Sequence, residues 1–405
     1  HAIGRKQAKP KQQVALAQKA QALLDQIKAS SSHSNTTAIA NAWTYNTVLH
    51  AWCNCQNLDR AQALLDEMES GAGPAPTTSS YTTLMNGWAK ARGDPVTNAE
   101  HVQALFDRHV QHYQTSGQRP DCRPNHVAYA TLIHAWTKTR TVSAAYKAEG
   151  LLQQMYVEFQ KDEEADSNSK NKLGADRIIP NTQLITSVMD CWQKSGAPEA
   201  GQRAESLLQW MIVRSQEQSN PHVAAMMRPN AHSFSAVIAA WARTRQAGKA
   251  ARARKVLTLM SQMHAKGQIV SPPNTYCYTN VLNSCAYCIQ EDDEKKASLA
   301  IAVQTYKELL NHADPTVQPT DVTFSTFLTA LRNLLPSDDK RTSAVRTVFE
   351  AAQERGQVSH VVVQKLQSVL PKKDYEELIP SSCREETTGH VLADQIPAEW
   401  KRNVV

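Results

Sequence analysis

Residues Thr44–Trp52 read TYNTVLHAW, and the phrase recurs along the chain. It returns as SYTTLMNGW at Ser80–Trp88, AYATLIHAW at Ala128–Trp136, LITSVMDCW at Leu184–Trp192 and SFSAVIAAW at Ser233–Trp241. Weaker copies are CYTNVLNSC at Cys277–Cys285 and TFSTFLTAL at Thr323–Leu331. Each copy sets apolar residues at i, i+3, i+4 and i+7, in the first Tyr45, Val48, Leu49 and Trp52. That spacing is one face of an α-helix. A second phrase of the same spacing follows: AQALLDEM at Ala61–Met68, AEGLLQQM at Ala148–Met155, AESLLQWM at Ala204–Met211 and ARKVLTLM at Ala253–Met260. Its leading alanine lets helices approach closely. Each repeat therefore predicts two amphipathic helices, A and B.

Between a B helix and the next A helix stands a proline followed by Asn or Thr: Pro76-Thr77, Pro124-Asn125, Pro180-Asn181, Pro229-Asn230, Pro273-Asn274 and Pro319-Thr320. Proline lacks an N–H and disfavours helix in the residue before it, so it separates helices, and Asn or Thr caps the one that follows. AQALLDQI at Ala20–Ile27 reads as an orphan B helix. A single hairpin cannot bury its apolar face, but stacked hairpins share a continuous core. The expected fold is an all-α, helical-hairpin repeat solenoid. It would comprise a basic leader (1–13), a partial repeat (14–41), about seven helix pairs (42–357), a cap helix (358–370) and a polar tail (371–405). The anchors Tyr45, Tyr81, Tyr129, Ile185, Phe234, Tyr278 and Phe324 are 36 to 56 residues apart. The surplus is expected in loops such as Arg92–Asn98, Gln160–Ile179 and Gln290–Lys295, where insertions cost little entropy.

Composition narrows the function classes. The chain has 405 residues, 41% hydrophobic and 20% charged, with only 14 Gly and a mean hydropathy of −0.49. These values exclude a collagen-like or wholly disordered chain. No run of about 18 apolar residues occurs to span a membrane. The net charge of +6 is too mild to prove a polyanionic partner, and eight Cys are too sparse for a disulfide scaffold, which suggests a reducing compartment. Before Asp25 the chain carries five cations and no acid. That fits the tail of an organelle transit sequence and equally a solvated leader.

These units resemble the pentatricopeptide repeat family, the first following its pattern closely as AWTYNTVLHAW…NLDRAQALLDEMESG…PT. The resemblance spans about residues 14–360. Departures are the insertions, Trp in the eleventh place of five repeats, and Ile185 for the usual Tyr. The resemblance implies binding of single-stranded RNA, one base per repeat, by the fifth residue of a repeat together with its last. The pairs are Asn46 with Thr77, Thr82 with Asn125, Ala130 with Asn181, Thr186 with Asn230, Ser235 with Asn274 and Thr279 with Thr320; Ser325 stands alone. In this family Ser or Thr with Asn selects adenine, which assigns adenine to the second, fourth and fifth repeats. Asn46 with Thr77 leans to a pyrimidine, and Ala130 has no side-chain hydrogen bond to offer. The implied core is 5′-(C/U)-A-N-A-A-(A/G)-3′. From the residues alone, the fifth place sits about 100° from the buried anchor, where the core does not require a polar group. Helix capping explains any single Ser, Thr or Asn equally well.

Backbone contacts need cations. Lys90, Lys138, Lys194 and Arg243 each stand two residues after a Trp. They would form a row facing phosphates, or merely complement a helix C-terminus. Between Gln218 and Gln290 there is no acid, while Arg228, Arg243, Arg245, Lys249, Arg252, Arg254, Lys255 and Lys266 supply cations, an expected electrostatic footprint. Cys285-Ala-Tyr-Cys288 is a CxxC, but Cys285 takes the place of a core Trp and reads as a buried thiol rather than a zinc ligand. No HExxH, glycine-rich phosphate loop or deaminase signature HxE…PCxxC occurs, so no enzyme, metal or cofactor is expected. Family habit places such a protein in a mitochondrion or plastid, acting in RNA processing, stability or translation, with RNA-processing or ribosomal proteins as further partners. The alternative is a helical scaffold for protein partners.

Overall fold

The computed structural model describes residues 10–31, 40–168, 178–288, 292–383, 391 and 395–404. Among them the regular structure is helical. The leader residues 1–9 and the 169–177 part of the expected insertion lie outside the described residues. The contacts divide the chain into two compact units, 1–191 and 192–405.

Unit 1 contains α1 (Pro10–Ser31), α2 (Ala42–Asn54), α3 (Leu58–Glu69), α4 (Thr78–Ala89), α5 (Pro95–Thr115), α6 (His126–Thr139) and α7 (Val142–Asn168), and most of α8 (Thr182–Ser195). The A helix α4 packs on α2 and α6 as well as on its own B helix α5. A helices thus form one layer and B helices the other. The buried face is the one the periodicity predicts: Tyr45, Val48, Leu49 and Trp52 on α2, and Ala61, Leu64, Leu65 and Met68 on α3. The orphan helix is α1, whose Ala17 and Leu24 are fully buried.

Unit 2 contains α9 (Ala200–Glu217), α10 (Pro221–Met227), α11 (Ala231–Arg243), α12 (Lys249–Ala265), α13 (Thr275–Ala286), α14 (Asp292–Leu310), α15 (Asp321–Leu334), α16 (Asp339–Glu354), α17 (His360–Val369) and α18 (Lys372–Leu378). The A helices α11, α13 and α15 pack in succession, and α15 packs on α17. The C-terminal residues do not form the polar tail expected. Tyr375, Ile379, Cys383, Val391 and Ile396 are buried in the core around α15–α17. The Trp400 ring meets Phe349 edge-on at 5.6 Å, and the Trp400 carbonyl accepts from the Val358 N–H at 2.8 Å. Sparse apolar residues carried by irregular backbone have no periodicity to reveal them.

The surplus length also goes elsewhere than expected. α3 has 12 residues, whereas α5 has 21, α7 has 27 and α14 has 19. KDEEADSN at 161–168 extends α7 rather than forming a loop. Added turns there need only continue good helix formers such as Glu, Ala and Lys.

Between the layers, each Trp described below is held on two sides. Trp52 Nε1 donates to Gln21 Oε1 at 3.0 Å, and Arg60 lies 4.9 Å from its ring. Trp136 Nε1 donates to Gln103 Oε1 at 3.0 Å, with Lys147 Nζ 3.8 Å from the ring. Trp241 Nε1 donates to Glu205 Oε2 at 2.9 Å. Its indole lies so close to α9 that a Cβ on Gly201 would stand 2.6 Å from Cδ2, which explains a glycine inside a helix. Trp88 differs: it stacks on His101 at 3.9 Å.

His109 on α5 is fully buried and stacked on Tyr81 at 4.4 Å. Its Nε2 lies 3.0 Å from the Cys122 carbonyl. A carbonyl only accepts, so Nε2 carries the proton and Nδ1, which has no partner, is bare. Burial pushes its pKa down to about 4, against about 6.5 in the unfolded chain. The unfolded state therefore takes up a proton first as pH falls. Stability that is complete above pH 6.5 should decline towards pH 4 by roughly 3 kcal/mol from this group. Urea midpoints at pH 7.5 and 4.5 should separate by less in His109→Phe than in the wild type; equal separation would remove His109 as the cause.

Candidate nucleic-acid interface

Every Asn or Thr that follows a separating proline is an N-cap. Asn125 accepts from the Val127 and Ala128 N–H groups, Asn181 from Leu184, Asn230 from Ser233, Asn274 from Cys277 and Thr320 from Thr323. Thr77 forms a capping box with Ser80. The prolines are buried, while Asn230, Asn274 and Thr320 are exposed and Thr77, Asn125 and Asn181 partly so. The capping oxygen is engaged, and in Asn the amide N–H groups stay available.

The fifth residues fall into two groups. Asn46, Ala130 and Thr279 are partly exposed. Thr82 (9%), Thr186 (1%), Ser235 (4%) and Ser325 (6%) are buried. Three of these four are seen to fold back on their own helix: Thr82 Oγ1 donates to the Thr78 carbonyl at 2.9 Å, Ser235 Oγ to that of His232 at 2.9 Å and Ser325 Oγ to that of Val322 at 3.0 Å. Asn46 instead reaches the next repeat. Its Nδ2 lies 3.4 Å from Thr77 Oγ1, and Ser80 Oγ donates to its Oδ1 at 2.7 Å. Thr279 Oγ1 likewise meets Thr323 Oγ1 at 2.8 Å.

The four cations two residues after a Trp are all exposed. Two have a task that the sequence reading did not foresee. Lys138 Nζ donates to the Ala89 carbonyl at 2.6 Å, and Arg243 Nη1 lies 3.5 Å from the Gln193 carbonyl. Asn333, at the same place in the seventh repeat, donates to the Ala286 carbonyl at 2.7 Å. Each carbonyl ends the A helix of the preceding repeat, where the helix dipole favours a donor. The helix-terminus reading holds there, but across repeats. Lys90 caps the end of α4.

The acid-free stretch is partly neutralised from neighbouring helices. Arg254 forms a bidentate pair with Glu308 at 2.6 and 2.8 Å, and Arg252 lies 3.6 Å from Glu205. Lys249 is buried and donates to the Thr244 carbonyl at 3.0 Å; burial pushes its pKa down. Arg245, Lys255 and Lys266 remain exposed beside Arg243. Cys285 and Cys288 are buried, and burial pushes the Cys285 thiol up to about 12, far from a thiolate. Among the described residues no group of three metal-ligating side chains assembles, and no helix is long and apolar enough to cross a membrane.

One column was missed. Two residues before each anchor the side chain faces solvent, and in several repeats it is apolar: Trp43 (76% exposed), Val127, Tyr276 (54%) and Val322, with Val361 at the matching place in α17. Ser79, Gln183 and His232 complete the column. A Trp and a Tyr thus stand exposed at one fixed repeat position, off the buried stripe. The column's signal was present in the sequence as an aromatic off the helical stripe.

Residues 40–90 match the PPR repeat family. Over 178 residues the chain is 25% identical to a pentatricopeptide repeat-containing protein of Arabidopsis thaliana, covering 44% of this chain and 25% of that protein. The crystal structure of the pentatricopeptide repeat protein PPR10 in complex with an 18-nt psaJ RNA element superposes with a TM-score of 0.40 at 17% identity, covering 89% of this chain and 47% of that one. A cysteine-to-serine variant of PPR10 with the same RNA gives the same values. The chain thus spans about a quarter of the curated relative and about half of the solved one.

Proposed function

We propose that this chain, whose residues 40–90 match the PPR repeat family, binds single-stranded RNA sequence-specifically, one base per repeat. The observation that carries this reading is the meeting of a fifth-place side chain with the cap of the next repeat, at Asn46–Thr77. An exposed ring stands nearby in sequence at Trp43. An amide or hydroxyl donates to and accepts from a base edge, and an aromatic face stacks on a base. Asn46 with Thr77 takes a pyrimidine, and the second, fourth and fifth repeats take adenine, within 5′-(C/U)-A-N-A-A-(A/G)-3′. For Thr82 and Ser235 this requires the hydroxyl to leave the carbonyl it now holds. Changing Asn274 to Asp moves the fifth repeat from adenine towards guanine. Lys90 and Lys194 face phosphates, joined by Lys138 and Arg243 when RNA draws them off their carbonyls. The protein acts as a binder rather than an enzyme, in a mitochondrion or plastid, where holding RNA extended serves processing, stability or translation.

Selection of bound RNAs from a random pool, followed by sequencing, tests this. The expected result is one enriched motif whose affinity falls roughly 7- to 50-fold between 50 and 200 mM salt, the range for two to four phosphate contacts to a single strand. No enriched motif, or affinity indifferent to salt, would refute it. The second reading, a scaffold for protein, draws on an open groove of about 620 Å³ between α9, α12 and α14, where Leu208, Val256, Leu259 and Ile301 stand beside Glu205, Arg254 and Lys255. Salt-indifferent capture of a protein with no RNA motif would favour it.

A further inference from the structure

We infer that a third residue takes part in base reading: the third residue of the following A helix, whose hydroxyl decides whether the fifth residue of a repeat is presented or withdrawn. This rests on the RNA-binding reading and concerns which repeats of the array are competent to discriminate bases.

Within one unit the juxtaposition is seen five times, twice with a hydroxyl and three times without, the fifth being Ser325, which bonds back to Val322 where α17 offers Val362. Thr186 is 1% exposed although Ser233 holds the matching place, and the two lie in different units. Ser80 follows Asn46 by one repeat. Its Oγ accepts from the Thr77 N–H at 3.1 Å, so its single proton is left to donate to Asn46 Oδ1 at 2.7 Å. That bond fixes the amide, and Nδ2 faces Thr77 Oγ1 as a donor. In unit 2 the same arrangement recurs with other residues. Thr323 Oγ1 accepts from the Thr320 N–H at 3.1 Å and meets Thr279 Oγ1 at 2.8 Å. Asn46 and Thr279 are the partly exposed polar members of the column.

Where the third residue has no hydroxyl, the fifth withdraws. Ala128 stands opposite Thr82, and Thr82 bonds back to the Thr78 carbonyl. Cys277 stands opposite Ser235, and Ser235 bonds back to the His232 carbonyl. Both are buried. A short hydroxyl on a helix has two choices, its own i−3 or i−4 carbonyl or a partner across the groove. A Ser or Thr on the next repeat supplies the second choice; a methyl or a thiol does not compete. Ser80 and Thr323 are thus positioning residues for base specificity, and Ala128 and Cys277 leave the repeats before them less discriminating. The amide held by Ser80 presents N–H, which suits a base acceptor such as a pyrimidine O2.

The experiment is pool selection on the full chain with Ser80→Ala, Ser80→Thr and Ala128→Ser beside the wild type. Ser80→Ala should lower discrimination at the base read by the first repeat at least fivefold and leave the other positions unchanged. Ser80→Thr should retain it, and Ala128→Ser should raise discrimination at the second repeat. A merely structural cap would shift the melting temperature without changing preference at one position. The inference is overturned if Ser80→Ala and Ala128→Ser leave every base preference as in the wild type. A wild type with no preference anywhere would instead overturn the RNA-binding reading, and this inference with it.

Discussion

Replacing Trp136 by alanine should lower the unfolding free energy of unit 1 by about 3–5 kcal/mol, the usual cost of removing a buried aromatic. The ring is 3% exposed and touches three elements. It belongs to α6, its N–H reaches Gln103 on α5 in the preceding repeat, and its face meets Lys147 on α7 in its own repeat. Its loss would open a cavity between hairpins, where no single helix can collapse to fill it. Trp136→Phe keeps most of the buried surface and leaves the Gln103 carbonyl unpaired, which should cost about 1 kcal/mol beyond the lost area. Urea denaturation of both variants checks the order. A Trp136→Ala change of less than 1 kcal/mol would mean that the hairpins are held together by other contacts.

The same position shows why this column is built as a pair. The residue facing the indole N–H follows the leading apolar residue of the B helix before it, Ala20, Val102 or Ala204. It is Gln21 before Trp52, Gln103 before Trp136 and Glu205 before Trp241, all acceptors. In the sixth repeat the indole is replaced by Cys285, and the facing residue is Arg254, which turns to Glu308 instead. In the seventh the place is taken by Leu331, and the facing residue is the apolar Val303. A buried indole N–H without an acceptor would cost about 1–3 kcal/mol, so donor and acceptor change together. This linkage was legible in the sequence only once the repeats were aligned, and it gives the Trp column a structural rather than a ligand-binding role.

Periodicity was enough for the A and B helices, because apolar spacing at 3.6 residues and a proline-plus-cap boundary both act locally. It was not enough for the length of α7 or for the burial of Ile379 and Ile396, which depend on what lies across from them. The column of fifth residues was legible as positions but not as states. Whether Thr82 is offered or folded back depends on Ala128, 46 residues away in sequence, and no single-repeat pattern contains that information. The cation row shows the same limit. Lys138 carried the right charge, yet its first partner is the end of another repeat's helix.

Removing the exposed rings should weaken RNA binding by about 1–3 kcal/mol for each base they stack on. Trp43→Ala and Tyr276→Ala should therefore each reduce affinity roughly 5- to 150-fold. Neither change should alter stability by more than about 0.5 kcal/mol, because side chains so exposed contribute little to the core. That contrast separates this column from Trp136, where stability falls and the ring is buried. The alternative is that Trp43 and Tyr276 are incidental surface residues, which single exposed apolar side chains often are. Trp43→Leu distinguishes the two, since it keeps an apolar group but removes the aromatic face, and should lose most of the affinity that Trp43→Ala loses. Titrations of the selected RNA against the three variants, with melting curves on the same samples, decide the matter. Affinities within twofold of the wild type for both alanine variants would show that the bases do not stack on this column. The contact would then rest on the fifth residues and the cations alone.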